Sequence, residues 1–252
     1  MSIIDTFDIA TEAIINPSDM VTHAAGFPEV AIAVFNSKLI KLALAAAESY
    51  ETDAFGLTVG DVYPIYKLNY KGTRIALYKT FIGGAMTAGM YDEMLAKGIK
   101  KLIIFGSCGV LDNALVSGNL IVPTSSYRDE GLSYHYVAPA DYIDVPTAVR
   151  TAEILTELGV PHVCGKNWTT DAIYRETRGN MEKRKAEGCI TVDMECASLQ
   201  AVAQFRGAEV YQFLYAADSL DGDEWDVRNL KTPEDALHAK LISIGLEMAT
   251  HV

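Results

Sequence analysis

The sequence predicts an α/β domain in which a largely parallel or mixed sheet is covered by helices on both faces. Three observations predict it. Short β-branched runs alternate with helical stretches along the chain. Residues 101–105 (KLIIF) form a continuous apolar run, as a strand buried on both faces requires. The chain has 252 residues, with 50% hydrophobic and 21% charged side chains. That is enough for one full core without a second domain. No repeat, low-complexity tract or linker interrupts it, so residues 1–252 are expected to form a single domain.

The elements follow in order. Residues 30–35 (VAIAVF) read as a strand and residues 38–50, rich in Ala and Leu, as a helix. Residues 62–70 and 73–80 read as strands joined at the Lys71-Gly72 turn. Residues 85–97 read as a helix that stops at Gly98. After the KLIIF strand come a strand at 119–123 and a helix at 145–158 ending at Gly159. Residues 160–168 read as a strand, 181–187 as a helix, 190–192 as a short strand and 196–205 as a helix ending near Gly207. Residues 209–217 (EVYQFLYAA) read as a strand. A last helix spans 233–250, with Thr232 as its N-cap and Pro233 in its first position. Two connections are long, 125–144 and 219–231, and long loops in a compact domain are often functional.

Charge and cysteine usage narrow the function. The net charge is −12 and the sequence pI about 4.8. Such a surface repels phosphodiester backbones, so nucleic acid is not an expected partner. The four cysteines, Cys108, Cys164, Cys189 and Cys196, form no C-x-x-C pair and show no zinc spacing. Each lies in or beside an apolar stretch and is expected to be a small buried side chain. The N-terminal stretch carries acids and lacks the basic region of a signal peptide. No apolar run is long enough to span a bilayer. No membrane partner is therefore expected, and a reducing cytoplasm is the expected location.

In α/β sheets ligands gather at the carboxyl ends of strands. Gly106-Ser107-Cys108-Gly109 follows the KLIIF strand. It reads either as a nest of backbone N–H groups and a hydroxyl suited to an oxyanion, or as a plain turn. Ile82-Gly83-Gly84 precedes a helix and offers a second set of free N–H groups, or a tight turn. Asp193-Met194-Glu195 sits between a strand and a helix, where carboxylates either accept from sugar hydroxyls or cap the helix. Asp218 ends an apolar strand; partial burial there raises a carboxyl pKa and keeps a proton for general-acid work, unless the residue merely caps a turn. In 127–136, which interleaves charges and aromatics, Arg128 either grips an anion or pairs within a surface loop. Tyr174, after the strand ending at Trp168, stacks on a heterocycle or packs in the core.

Together these segments resemble the nucleoside phosphorylase family, which includes purine nucleoside phosphorylases, uridine phosphorylases and related nucleosidases. The segments run in order: GSCG after a strand, then VSGNLIVPTSSYRDEGLSYHY, TTDAIY, VDMECAS and LYAADS. The resemblance covers the chain from about Val30 to its C-terminus. It implies a single α/β domain with a central mixed, partly barrel-like sheet flanked by helices, assembled as a trimer or hexamer. It also implies phosphorolysis of a nucleoside to free base and pentose 1-phosphate, with phosphate as co-substrate and no metal or organic cofactor.

The resemblance assigns Gly106 and Ser107 to phosphate, Met194 and Glu195 to the ribose, and Asp193 to a place where the family usually has a glutamate. Tyr174 falls in an aromatic pair of the base pocket whose other member is Ile173 here. Asp218 aligns with the aspartate that protonates a purine. Uridine enzymes of the family carry a Gln-x-Arg pair after the aromatics; the stretch Thr177-Arg178-Gly179 lacks it, which favours a purine and leaves Arg178 to read the base in another way. Three departures bear on the acceptor. The family usually places an arginine two residues before GSCG, where Ile104 stands, and a Gly-Asp-Pro with a nearby arginine after the first strand, where Phe35-Asn36-Ser37-Lys38 stands. A residue near Gly60-Asp61-Val62 replaces an arginine donated by a neighbouring subunit. Either Ser107, backbone N–H groups and Lys38 or Arg128 hold phosphate, or water is the nucleophile. A non-catalytic nucleoside-binding protein is the remaining alternative.

Overall fold

The computed structural model describes residues 3–56, 62–228, 230 and 235–252. The anticipated Thr232 cap, Pro233 and the Gly60-Asp61 pair lie outside the described residues. In chain order the elements are α1 (Pro17–Met20), β1 (Val30–Val34), α2 (Ser37–Ala46), β2 (Ser49–Gly56), β3 (Val62–Tyr70), β4 (Thr73–Lys79) and α3 (Gly84–Lys97). There follow β5 (Lys101–Val110), α4 (Asn113–Val116), β6 (Leu120–Asp129), α5 (Ser133–Tyr136), β7 (Tyr142–Asp144) and α6 (Ala148–Glu157). The chain continues through β8 (His162–Thr170), α7 (Arg178–Ala186), β9 (Cys189–Asp193), α8 (Cys196–Arg206), β10 (Glu209–Ser219) and α9 (Asp235–Ala249).

The sheet is mixed and closes on itself in part. Strands β5, β10, β6, β8 and β9 form a ring, because β10 pairs with both β5 and β6 and β9 pairs with both β8 and β5. From β5 an arm extends through β1, β4, β3 and β2. The mixed, barrel-like sheet flanked by helices is the architecture that the family resemblance implies.

Strand β5 is apolar from Leu102 to Phe105 because both of its faces are covered there. Ile103 and Phe105 point into a core with α2, α6 and α9, and Leu102 and Ile104 into a second core with α3 and α8. Cys108, Ile121, Ile190 and Leu214 fill the ring itself, with Val163 packed against them. The helices stop where the sequence says they must. Gly98 and Gly207 both have positive φ, and their N–H groups donate to carbonyls of the last turns of α3 and α8. Among the described residues, no helix is long and apolar enough to cross a membrane.

Three expectations change. The helix after β1 ends at Ala46, and residues 49–56 form an edge strand paired with β3 along its length. Sheet pairing there overrides the helical propensity of the Ala-rich run. The GSCG segment is not a turn: β5 continues through Val110, paired with β10 from Lys101 to the end. Of the cysteines, Cys164 is exposed, while Cys108, Cys189 and Cys196 are buried.

One close approach fixes how α9 sits. A Cβ on Gly245 would lie 2.8 Å from the Phe105 ring. That ring cannot retreat, because it is stacked on Phe213 with centroids 4.9 Å apart. Gly245→Ala is therefore expected to destabilise the fold by about 1–3 kcal/mol, the usual cost of overpacking a filled core. Chemical denaturation measures it, and an unchanged midpoint would show that α9 slides freely over β5.

Candidate active site

The ring and the arm part company in the middle of β5. Strand β1 accompanies β5 only as far as Ile104, and β9 joins it only from Gly109. Between them residues 105–108 have β10 on one side and an open flank on the other. A cavity of about 220 Å³ occupies that opening. Gly106, Ser107, Asp193, Met194, Glu195 and Asp218 all line it. It adjoins a second cavity of about 370 Å³, lined by Tyr174, Arg178, Met181 and Trp225 among others. Ile173, Glu176, Asp218 and Leu230 wall both. Apart from Arg128 and Lys38, the residues expected at sugar, base and acceptor converge on one cleft.

Asp218 reaches the cleft through an irregularity. The register of β10 against β5 shifts between Ala216 and Asp218, and a bulge of this kind re-aims the following side chain. Gly109, opposite, leaves the room: a Cβ there would lie 2.6 Å from Leu220 and 2.9 Å from Val192. Asp218 Oδ2 accepts the indole N–H of Trp225 at 2.7 Å. Burial raises the Asp218 pKa, and the Trp225 hydrogen bond opposes the rise in part.

Glu195 is only 8% exposed. Its Oε1 accepts the Gly83 N–H at 2.6 Å, so the carboxylate lies across the start of α3. Burial, with Asp193 as a like-charged neighbour, pushes its pKa up to about 8. The N–H of Gly83, anticipated as a free anion donor, is therefore already engaged by a side chain of the protein.

Asp193 lines the cavity but does not fit the role of a sugar ligand. Its Oδ1 accepts from Asn167 and from Thr169, each at 2.7 Å. Its Oδ2 accepts from the Cys196 N–H at 2.9 Å and from Gln212 at 3.2 Å. Both oxygens are spent inside the protein, and the residue positions Met194 and Glu195 instead.

Arg128 is the clearest correction. It is buried and absent from both cavity linings. Its guanidinium donates to Ser133 Oγ at 2.8 Å and to the carbonyls of Val137, Ala138 and Ala140. It also lies over the Tyr134 ring. Four of its five N–H donors are taken by this set, so Arg128 ties down its loop rather than an anion. Lys38 likewise turns away, to Asp235 of α9. Arg178 stands at the cleft but donates to the carbonyls of Gly222 and Asp223 at 2.6 and 2.7 Å. It clamps the Gly222-Asp223 segment beside the cavity. Tyr174 lines the outer cavity at 95% exposure, while its neighbour Ile173 sits between the two cavities.

The residues that sequence reasoning missed are Glu176, Trp225 and Phe35. Glu176 lines both cavities, and burial beside Asp218 pushes its carboxyl up to about 7. Trp225 belongs to a long connection already suspected of function. The Phe35 ring lies where a Cβ on Gly106 would approach within 2.9 Å. Ser107 and Tyr215 line the same cavity, and burial raises the pKa of the Tyr215 phenol.

The profile of the phosphorylase superfamily matches residues 29–244. A DeoD-type purine nucleoside phosphorylase of Alkaliphilus metalliredigens is 27% identical over 158 residues, 60% of this chain and 67% of its own. A guanosine phosphorylase of Halorubrum lacusprofundi is 28% identical over 153 residues, 58% of this chain and 61% of its own. An uncharacterised protein of Acanthamoeba polyphaga mimivirus is 28% identical over 154 residues, 61% of this chain and 60% of its own. The chain thus spans between 60% and 67% of these relatives' lengths. Among solved structures, the Toxoplasma gondii purine nucleoside phosphorylase in complex with immucillin-H superposes with a TM-score of 0.72 at 18% identity, covering 98% of this chain and 100% of that one. The P. knowlesi homologue of P. falciparum PNP gives 0.67 at 20% identity, covering 98% and 96%. At these identities the structural likeness is one of fold. The match over residues 29–244 carries the assignment: the chain belongs to the phosphorylase superfamily.

Proposed function

We propose that the protein cleaves the N-glycosidic bond of a purine nucleoside. The observation that carries this reading is the convergence of Asp218, Glu195 and Ser107 on one cleft. The curated relatives named for purine nucleosides and guanosine support it. The base occupies the outer cavity, against Ile173 and within reach of Asp218 and Glu176. The pentose lies over Met194, with its hydroxyls on the Glu195 oxygen not held by Gly83. Phosphate is the acceptor that the family resemblance implies, beside Ser107.

As the glycosidic bond stretches, positive charge gathers on the sugar and negative charge on the base. The buried carboxylates of the cleft stabilise the first. Asp218, protonated more readily than an ordinary aspartate, neutralises the second by giving its proton to the ring. Glu195 fixes the sugar so that the bond to be broken faces the acid, and positioning of this kind supplies much of an enzyme's acceleration. No step requires a metal or an organic cofactor.

Incubation with inosine, guanosine, adenosine and uridine, followed by chromatography of the released base, tests the proposal. Cleavage of none of them would end it. Asp218→Asn removes the proton and keeps the shape; base release should fall by roughly 10²–10⁴-fold with KM changed little. A loss confined to KM would mean that Asp218 binds rather than protonates. Glu195→Ala should cut kcat/KM by roughly 10–100-fold, the worth of hydrogen bonds to a charged group. A nucleoside analogue lacking the sugar hydroxyls should lose little further on this variant.

The raised carboxyls also set a pH dependence. A carboxyl whose folded pKa exceeds its unfolded value binds more protons in the folded state. Stability therefore falls as pH rises from the ordinary carboxyl range, near pH 4.5, through the folded pKa. For Glu176 and Glu195 that window closes at about 7 and about 8. The melting temperature of the ligand-free protein is expected to drop by several degrees between about pH 6 and about pH 9. Glu195→Gln should flatten that slope, and a slope unchanged in this variant would contradict the assignment.

A further inference from the structure

The Ser107 end of the cleft is where an acceptor must stand to reach the sugar, and its chemistry is unsuited to an anion. Its wall is apolar: the Phe35 ring lies over Gly106, flanked by Leu39, Ile82 and Phe105. The charged side chains that line this cavity, among the described residues, are Glu176, Asp193, Glu195 and Asp218, and all are acids.

Three described cations nearby are spent elsewhere. Lys38 pairs with Asp235, and Arg178 holds the Gly222 and Asp223 carbonyls. Arg228 pairs with Asp226 at 3.0 Å and also donates to Asn113 Oδ1 at 2.5 Å. Three backbone donors at the two bordering helix starts are engaged too. At the start of α2, which borders the wall, Asn36 Oδ1 accepts the Lys38 and Leu39 N–H groups at 3.1 and 3.0 Å. At the start of α3, the Gly83 N–H belongs to Glu195. An entering phosphate would shed water to meet carboxylates and aromatic carbon without a counter-charge. A neutral acceptor meets no such penalty, and the Ser107 and Tyr215 hydroxyls offer it neutral hydrogen bonds.

We propose that the acceptor is water and that the protein is a purine nucleosidase, an inference that rests on the glycosidic-cleavage reading above. The bond between base nitrogen and anomeric carbon breaks, and its electron pair leaves with the base, which takes the Asp218 proton. The water oxygen bonds to the anomeric carbon and gives up one proton to the ionised carboxylates of the cleft. That proton replaces the one Asp218 lost. The products are free base and free pentose, and the cleft ends with the protons it began with.

The test follows base release from inosine, guanosine and adenosine by the full-length protein in phosphate-free buffer and in inorganic phosphate at tens of millimolar. The sugar product is identified by anion exchange and mass spectrometry, with Asp218→Asn as the control for contaminating activity. The expected result is rates that agree within about twofold and free pentose in both buffers. Base release that rises tenfold or more with phosphate, together with pentose 1-phosphate, overturns the water acceptor and leaves glycosidic cleavage standing. Absence of base release in both buffers overturns glycosidic cleavage and the acceptor with it. Titration of the nucleoside-free protein with inorganic phosphate, followed by phosphorus NMR, adds a readout independent of turnover: no binding at millimolar concentration is expected, and saturable binding counts against the inference.

Discussion

The buried Asp193 carboxylate is the constraint on which the cleft depends. A charge removed from water is tolerable only where donors surround it, and here they come from Asn167 and Thr169 on β8, Gln212 on β10 and the first turn of α8. Ser126 of β6 and Thr191 of β9 join through Thr169 and Asn167. One acid therefore links four strands of the ring to the helix that follows. The Met194-Glu195 pair leaves β9 in a single direction because its predecessor is held from every side.

Two breaks in regularity then open the site. A ladder that ran unbroken from β1 through β5 to β9 would leave no room beside Ser107. The early departure of β1 and late arrival of β9 create the space, and the shift in β10 turns Asp218 into it. Small residues make both possible. Gly106 accepts the Phe35 ring and Gly109 accepts Leu220 and Val192, so larger side chains at either place would fill the opening from within. The cleft is less an addition to the sheet than a place where the sheet fails to close.

Much of this was legible in the chain itself. Every strand of the ring begins in a β-branched or apolar run that the sequence displays, and glycines mark the ends of α3 and α8. The fate of Arg128 was not legible. Its acceptors, the carbonyls of residues 137, 138 and 140, come within reach only once the connection between β6 and β7 has folded back. Glu176 was hidden for a related reason: its polar local sequence reads as surface, and its burial arises from segments some forty residues further along. Phe35 looked like the end of a strand, and only the closeness of Gly106 shows which wall it builds. What escaped the sequence is what depends on contacts between distant segments; what it showed depends on local pattern.

The indole held by Asp218 has a consequence of its own. Trp225 is 58% exposed, on a connection clamped by Arg178. Its N–H steadies the ionised form of the acid, against the effect of burial. Without that donor the carboxyl would grip its proton harder; with it, the proton is released more easily. A change to the anchoring of residues 222–225 thus reaches the acid without touching the substrate.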